Sequence, residues 1–225
     1  SNRCMIGGMI GNNAAGSHSI VHGTTRDHVL GIEAVLADAS VVRFGALDDG
    51  ELSERRAREG LEGAVYRELI EILETHADGI REGSPKPEIR RRNTGYALDR
   101  LLTHHPFTDG GPAFDLSPLL CGSEGTLALV TEARLNLIPI HRHNLVVCAH
   151  FESLDEATRG TVLALEHQPS AAELMDGEIL ELSKRNLESA RNRSRVEGDR
   201  QEVLAIAFFD DAAQCLRRRA DRLIE

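Results

Sequence analysis

Two runs of this sequence are nearly bare of bulky side chains. The first, "CMIGGMIGNNAAGSHSIVHG", extends from Cys4 to Gly23, and the second, "CGSEG", from Cys121 to Gly125. Closely spaced glycines and small residues let main-chain N–H groups approach a phosphate or a flat ring without interference from Cβ, and asparagine adds side-chain donors. The chemistry this composition suits is the holding of a nucleotide-type ligand; the plainer alternative is a pair of glycine turns serving only fold geometry. Two familiar nucleotide loops do not fit. Gly11 to Gly16 has the glycine spacing of a Walker A loop, but Ser17 and His18 stand where the phosphate-binding lysine and its hydroxyl neighbour belong. No G-x-G-x-x-G lies between a strand and a helix, so the Rossmann fingerprint is missing as well.

A second kind of chemistry is carried by "RRRNTGYALDRLL", Arg90 to Leu102. An arginine fork binds a carboxylate through two parallel hydrogen bonds, although runs of charge are usually solvated and three successive arginines cannot all point inward. Histidines at His104-His105 and His141-Arg142-His143 raise a metal site. Adjacent or alternate histidines in a loop seldom aim at one ion, and no carboxylate spacing completes a set, so no metal is expected here.

The chain of 225 residues carries a net charge of -10. Such a field repels polyanions, which argues against nucleic acid despite the local Arg217-Arg218-Arg219 run. No apolar run approaches the length needed to span a bilayer, and nothing at the N-terminus reads as a signal peptide. Cys4, Cys121, Cys148 and Cys215 lie far apart and form no C-x-x-C, so a reducing, cytoplasmic compartment fits best. The abrupt start at Ser1-Asn2 and the amphipathic finish "DDAAQCLRRRADRLIE" suggest a piece of a longer chain.

The elements that would position these residues follow from periodicity. After a loop through Gly23, "HVLGIEAVLAD" and "SVVRFG" read as a hairpin turning at Asp38-Ala39. From Leu61, Val65, Leu69, Ile72 and Leu73 recur at helical spacing. Prolines and the Gly110-Gly111 pair make residues 78 to 118 loop-rich, and "GSEGTLALVTEARLNLIPI" then resumes a strand pattern ending at Pro139. A composition shift at His141-Arg142-His143 puts a boundary between residues 1–143 and 144–225. Beyond it, "NLVVCAHF" is a strand, Ser153 with Glu156 opens a helix, "AAELMD" is a short strand, Gly177 to Arg185 a helix, "EVLAIAFF" a strand and the tail a helix. That order is most of a split βαβ plan, which would finish on one more strand.

Taken in order, "IGGMIGNNAAGSHSIVHGTTRDHVLGIEAVLAD", "NTGYALDRLL" and "GSEGTLALVTEA" resemble the FAD-linked oxidases of the vanillyl-alcohol-oxidase (PCMH-type) superfamily. The resemblance is closest to the branch of D-2-hydroxyacid dehydrogenases acting on D-lactate, glycolate or D-2-hydroxyglutarate. It covers most of residues 3 to 140 and extends more weakly through "AAELMD". It implies an α+β fold: the second subdomain of a PCMH-type FAD-binding domain, a mostly antiparallel sheet with flanking helices, in residues 1–143, and a truncated ferredoxin-like cap or substrate domain in residues 144–225.

It implies FAD as cofactor, its pyrophosphate and ribityl chain wrapped by Gly7, Gly8, Asn12, Asn13, Ala15, Gly16 and Ser17. His22 and Gly23 would approach the flavin, with His22 where the family usually has tyrosine. Gly122, Glu124 and Gly125 match the second cofactor loop, and Val130 a position on the adenine side. Ala39 departs from the family's turn glycine. Arg90 or Arg91, with Thr94, match positions that face the substrate carboxylate.

The resemblance further implies oxidation of a 2-hydroxy acid by hydride transfer to flavin N5, with electrons leaving to a quinone, an electron-transfer flavoprotein or an iron–sulfur module, in the cytoplasm or peripheral to the inner membrane. The family's metal-binding and proton-abstracting histidines fall later than this chain, so no catalytic residue is expected within it and the fragment alone would be inactive. A non-catalytic flavin-binding module and an FAD enzyme of the ether-lipid-synthase kind are the alternatives.

Overall fold

A computed structural model describes residues 3–86, 88–89, 92, 95–184 and 202–224. They form two compact units. The first comprises Ser1–Gly16 and Gly23–Ile138, the second Ser17–His22 and Pro139–Glu225. The division between units at 138/139 lies in the link between the strand that ends at Leu135 and the one that starts at His143. The short insertion of Ser17–His22 into the second unit was not anticipated.

In the first unit, β1 (Val29–Val35) pairs antiparallel with β2 (Val41–Gly45) on one side and β3 (Leu129–Leu135) on the other. Alternation puts Ile32 and Ala34 of β1, with Val42 and Phe44 of β2, on the buried face, as the two-residue period of a strand requires. The hairpin turns where the sequence indicated. Asp38 Oδ1 accepts the Ser40 N–H at 3.0 Å, and Ala39 takes a left-handed φ of 66°.

Against this sheet lies the core-facing side of α4 (Gly60–Gly83), where Tyr66, Ile70 and Leu73 are at most 1% exposed. Their spacing of four and three residues keeps one stripe inward, and full burial of side chains this size stabilises by about 1.5–3 kcal/mol each. The helix is the expected one, rotated slightly. Val65 and Leu69 are only partly buried and Ile72 faces solvent, because the shallow alternation of apolar residues there allows either stripe.

Three departures from the expected elements bear on the site. The glycine run is not an open loop. It contains α1 (Ile6–Gly11) and, in the second unit, α2 (Ser19–His22). Before α4 stands α3 (Asp49–Ala57), opened by a reciprocal capping box in which Asp48 Oδ1 accepts the Glu51 N–H at 2.8 Å and Glu51 Oε2 accepts the Asp48 N–H at 3.0 Å. The stretch expected to be loop-rich holds the end of α4 and two single turns, α5 (Leu98–Leu101) and α6 (Ser117–Leu120).

The second unit is built on β4 (His143–Phe151), α7 (Leu154–Glu166), β5 (Ala171–Met175), α8 (Gly177–Ser183), β6 (Glu202–Asp210) and α9 (Ala213–Ile224). Strand order is β4-β6-β5, with both outer strands antiparallel to β6. β4 and β5 thus run parallel, joined by α7 with β6 inserted between them, which is the split βαβ arrangement. Ser153 caps α7 by accepting the Glu156 N–H. Leu204, Ile206 and Phe208 of β6 pack with Ala164 and Leu216, while α2 packs against β5 and His18 meets Phe209 at a ring separation of 4.8 Å. Both units are antiparallel sheets covered by helices, an α+β architecture.

Candidate cofactor site

The two glycine-rich runs meet within the first unit. Gly122 N–H donates to Ile10 O at 2.9 Å and Glu124 N–H to Gly11 O at 2.9 Å, so the end of α1 and the turn after α6 run side by side. Asn13, fully buried with a left-handed φ of 47°, aims its Oδ1 at the Arg26 N–H (2.8 Å) and also accepts from Cys121 Sγ at 3.6 Å. Arg26, 8% exposed, donates from Nε to Pro118 O at 2.9 Å and from Nη2 to Cys121 O at 2.6 Å.

Burial lowers the Arg26 guanidinium pKa from its ordinary value. Burial likewise pushes the Cys121 thiol up to about 11, so Cys121 stays a neutral donor here.

The backbone around this contact is held in conformations side chains resist. Gly122 has φ 94°, Glu124 φ 52° and Gly125 φ 77°. A Cβ on Gly122 would lie 2.8 Å from Arg26 Nη2 and 3.3 Å from Asn13 Cβ, which is why glycine stands there. Such strain persists only where surrounding bonds over-determine it, and it collects at binding sites. By contrast, a Cβ at Gly7, Gly8, Gly16 or Gly125 would meet nothing within 4 Å among the described residues. One side of the paired runs is therefore locked, and the other presents bare main chain to open space. Residues of this kind fit a dinucleotide, whose phosphates take main-chain N–H donors.

The residues between Gly23 and β1 complete the lock. Asp27 Oδ2 accepts the Thr24 N–H at 2.8 Å, and its Oδ1 accepts from Arg100 Nη2 at 2.7 Å. Thr25 Oγ1 donates to Ala14 O at 2.9 Å. Sequence reading overlooked Thr24, Thr25, Arg26, Asp27 and Cys121. The one available signal was a polar tetrad, "TTRD", wedged between a glycine run and an apolar strand, where buried hydrogen bonds must end the loop.

The expected cofactor residues are distributed as follows. Gly7, Gly8, Asn12, Asn13, Ala15 and Gly16 lie on or just after α1, and Gly122, Glu124 and Gly125 on the facing turn; Asn13 serves the lock and not the open side. Val130 sits on β3 in register with Ala34. Gly23 adopts φ 78° beside Asp27. Ser17 and His22 are described with the second unit, on and beside α2.

Arg90, Arg91 and Thr94 lie outside the described residues. Their neighbour Arg92 is engaged internally, donating to Pro85 O at 2.6 Å and pairing with Asp99. Arg92, Asp99, Tyr96 and Arg26 line a cavity of about 280 Å³. Among the described residues no cluster of His, Cys, Asp and Glu is placed to hold a metal ion, and no helix is long and apolar enough to cross a membrane.

Known proteins resemble this chain in sequence and in fold. A sequence profile described as FAD binding domain matches residues 1–45, the segment holding the first glycine run. The chain is 36% identical over 224 residues to D-2-hydroxyglutarate dehydrogenase of Pantoea ananatis, covering 97% of this chain and 21% of that protein. It is 25% identical over 213 residues to D-lactate dehydrogenase of Archaeoglobus fulgidus, covering 94% of this chain and 34% of that one. Among solved structures, an alkyldihydroxyacetonephosphate synthase is similar in fold at TM-score 0.51 and 11% identity, with 97% of this chain and 31% of the synthase covered. In sequence the chain is thus similar to FAD-binding proteins over its first glycine run and to dehydrogenases along nearly its whole length. The chain spans about a fifth of the length of the D-2-hydroxyglutarate dehydrogenases it is similar to.

Proposed function

We propose that this chain supplies half of the FAD cradle of an FAD-dependent dehydrogenase that oxidises a D-2-hydroxy acid. The observation that carries the reading is the direct pairing of the two glycine-rich runs through Gly122–Ile10 and Glu124–Gly11, with bare main chain left open beside them. The main chain around Gly7, Gly8, Ala15 and Gly16 and at Gly125 holds the pyrophosphate and ribityl portions, with Asn12 and Glu124, whose own N–H groups bond Gly8 O and Gly11 O, shaping the two runs, and Val130 meets the adenine side. When bound, the flavin supplies the hydride acceptor. Arg90 or Arg91, with Thr94, receives the substrate carboxylate through a bidentate fork.

With only half of the cradle in this chain the isolated polypeptide binds FAD weakly, and with the proton-abstracting group outside it no substrate is turned over. The substrate class follows from the relatives' names, four of which are D-2-hydroxyglutarate dehydrogenases. The acceptor is a quinone, an electron-transfer flavoprotein or an iron–sulfur module, and the setting is cytoplasmic or peripheral to the inner membrane.

The test is made on the full-length protein that carries this chain, purified with its flavin, with D-2-hydroxyglutarate, D-lactate and glycolate offered in turn and an artificial electron acceptor present. Bleaching of the flavin band by one of these acids is the expected result. A flavin that binds but is reduced by none of them would leave the module non-catalytic and refute the dehydrogenase reading.

A further inference from the structure

The bonds around Arg26 assign it a role that neither glycine run carries by itself. Its fork reaches two carbonyls on the α6 side, Pro118 O and Cys121 O, while its own N–H is taken by Asn13 on the α1 side. The carboxylates nearby are committed elsewhere, Asp27 to Thr24 and Arg100, and Asp99 to Arg92. Among the described residues no carboxylate lies within ion-pair reach of Arg26. A buried guanidinium bonded only to carbonyls is costly unless several donors are satisfied at once. Here the guanidinium holds the 118–121 segment while the backbone N–H of the same residue holds Asn13, so one residue ties two distant loops.

We propose that Arg26 is the positioning residue that fastens the two glycine-rich runs into one surface, acting through Asn13, Cys121 and the backbone of Gly122 rather than by touching a ligand. Its use to the protein rests on the cofactor reading above, since a dinucleotide needs both runs at fixed separation. Lysine cannot replace it. A single ammonium carries the charge but cannot donate to Pro118 O and Cys121 O in the same plane. The absent Cβ at Gly122 belongs to the same device, because it leaves room for Nη2.

Amide hydrogen exchange on the 225-residue chain, residue by residue, tests this for Arg26→Lys. Exchange at Gly122 and Glu124, whose N–H groups bond Ile10 O and Gly11 O, should speed up by about tenfold, as expected when a charge-assisted bond bracing a local opening is lost. Ile70 and Leu73 on α4 should keep wild-type protection. Unchanged exchange at Gly122 and Glu124 overturns the proposal, and so does uniform acceleration across all amides, which would make Arg26 a general stability residue. Arg26→Gln, neutral but planar, serves if Arg26→Lys does not fold; failure of both to fold also overturns it. An FAD titration of the wild type judges the cofactor reading separately, and absence of binding there would count against that reading and leave the exchange result standing.

Discussion

Gly122 and Ala39 show how single residues answer to backbone geometry in opposite ways. Gly122 sits at φ 94° with Arg26 Nη2 packed where a Cβ would be. Gly122→Ala should therefore cost roughly 1–3 kcal/mol, from left-handed strain and displacement of the guanidinium, read as a fall in the denaturant midpoint. Ala39 sits at φ 66° in a hairpin turn whose contacts do not need its methyl group. Ala39→Gly relieves that strain and should raise stability by about 0.5–1 kcal/mol, despite the greater freedom glycine gives the unfolded chain. The turn itself could be read from Asp38 and Ser40; the left-handed residue could be flagged only because a glycine was expected in its place. Arg26 was not legible at all, because a charged residue near a strand gives no hint that it is buried until its carbonyl partners, more than 90 residues away in sequence, are known.

At the scale of elements, the parts that could be read were those with a period. The β1–β2 hairpin, α4 and the strand-helix order of the second unit all follow from alternation or from a three-to-four residue repeat. α1 was missed because glycine is a poor helix former and "IGGMIG" carries no cap. Its turn is held by tertiary bonds to the 122–124 segment. α3 was missed for a different reason. Its nine residues are mostly charged and bury only Leu52, so they show no apolar stripe. Its start was nevertheless written in "DDGE", the capping box Asp48–Glu51. Asp48→Ala should remove about 1 kcal/mol, measured by thermal melting, with α4 retaining its core contacts.

At the scale of the molecule, pH acts through the loop that joins α5 to α6. His104 Nδ1 accepts the Asp115 N–H at 3.2 Å, and its ring stands edge-on to Phe114. Burial lowers the His104 pKa, with Asp115 opposing and Arg100 adding to the effect. A folded-state pKa below the unfolded value means that the unfolded chain binds the extra proton. This contribution to stability is whole above about pH 6.5 and is lost as pH falls toward the folded pKa. Asp115, pushed up by its own burial, has the opposite sign, weakening the fold as pH rises through its folded pKa. The melting temperature of the wild type should therefore contain a drop between about pH 7.5 and 5.5 that His104→Asn, which keeps an acceptor but cannot be protonated, does not show. Equal drops in the two proteins would exclude His104 as its source.

A shared FAD cradle requires that the two glycine-rich runs serve one ligand. Titrating FAD into the isotopically labelled chain while following main-chain amide resonances is the direct measurement, because it detects weak binding and reports both runs at once. Amides from Gly7 to Gly16 and from Glu124 to Gly125 should move together and fit a single dissociation constant. Movement confined to one run, or two runs that saturate at different FAD concentrations, would contradict a shared cradle.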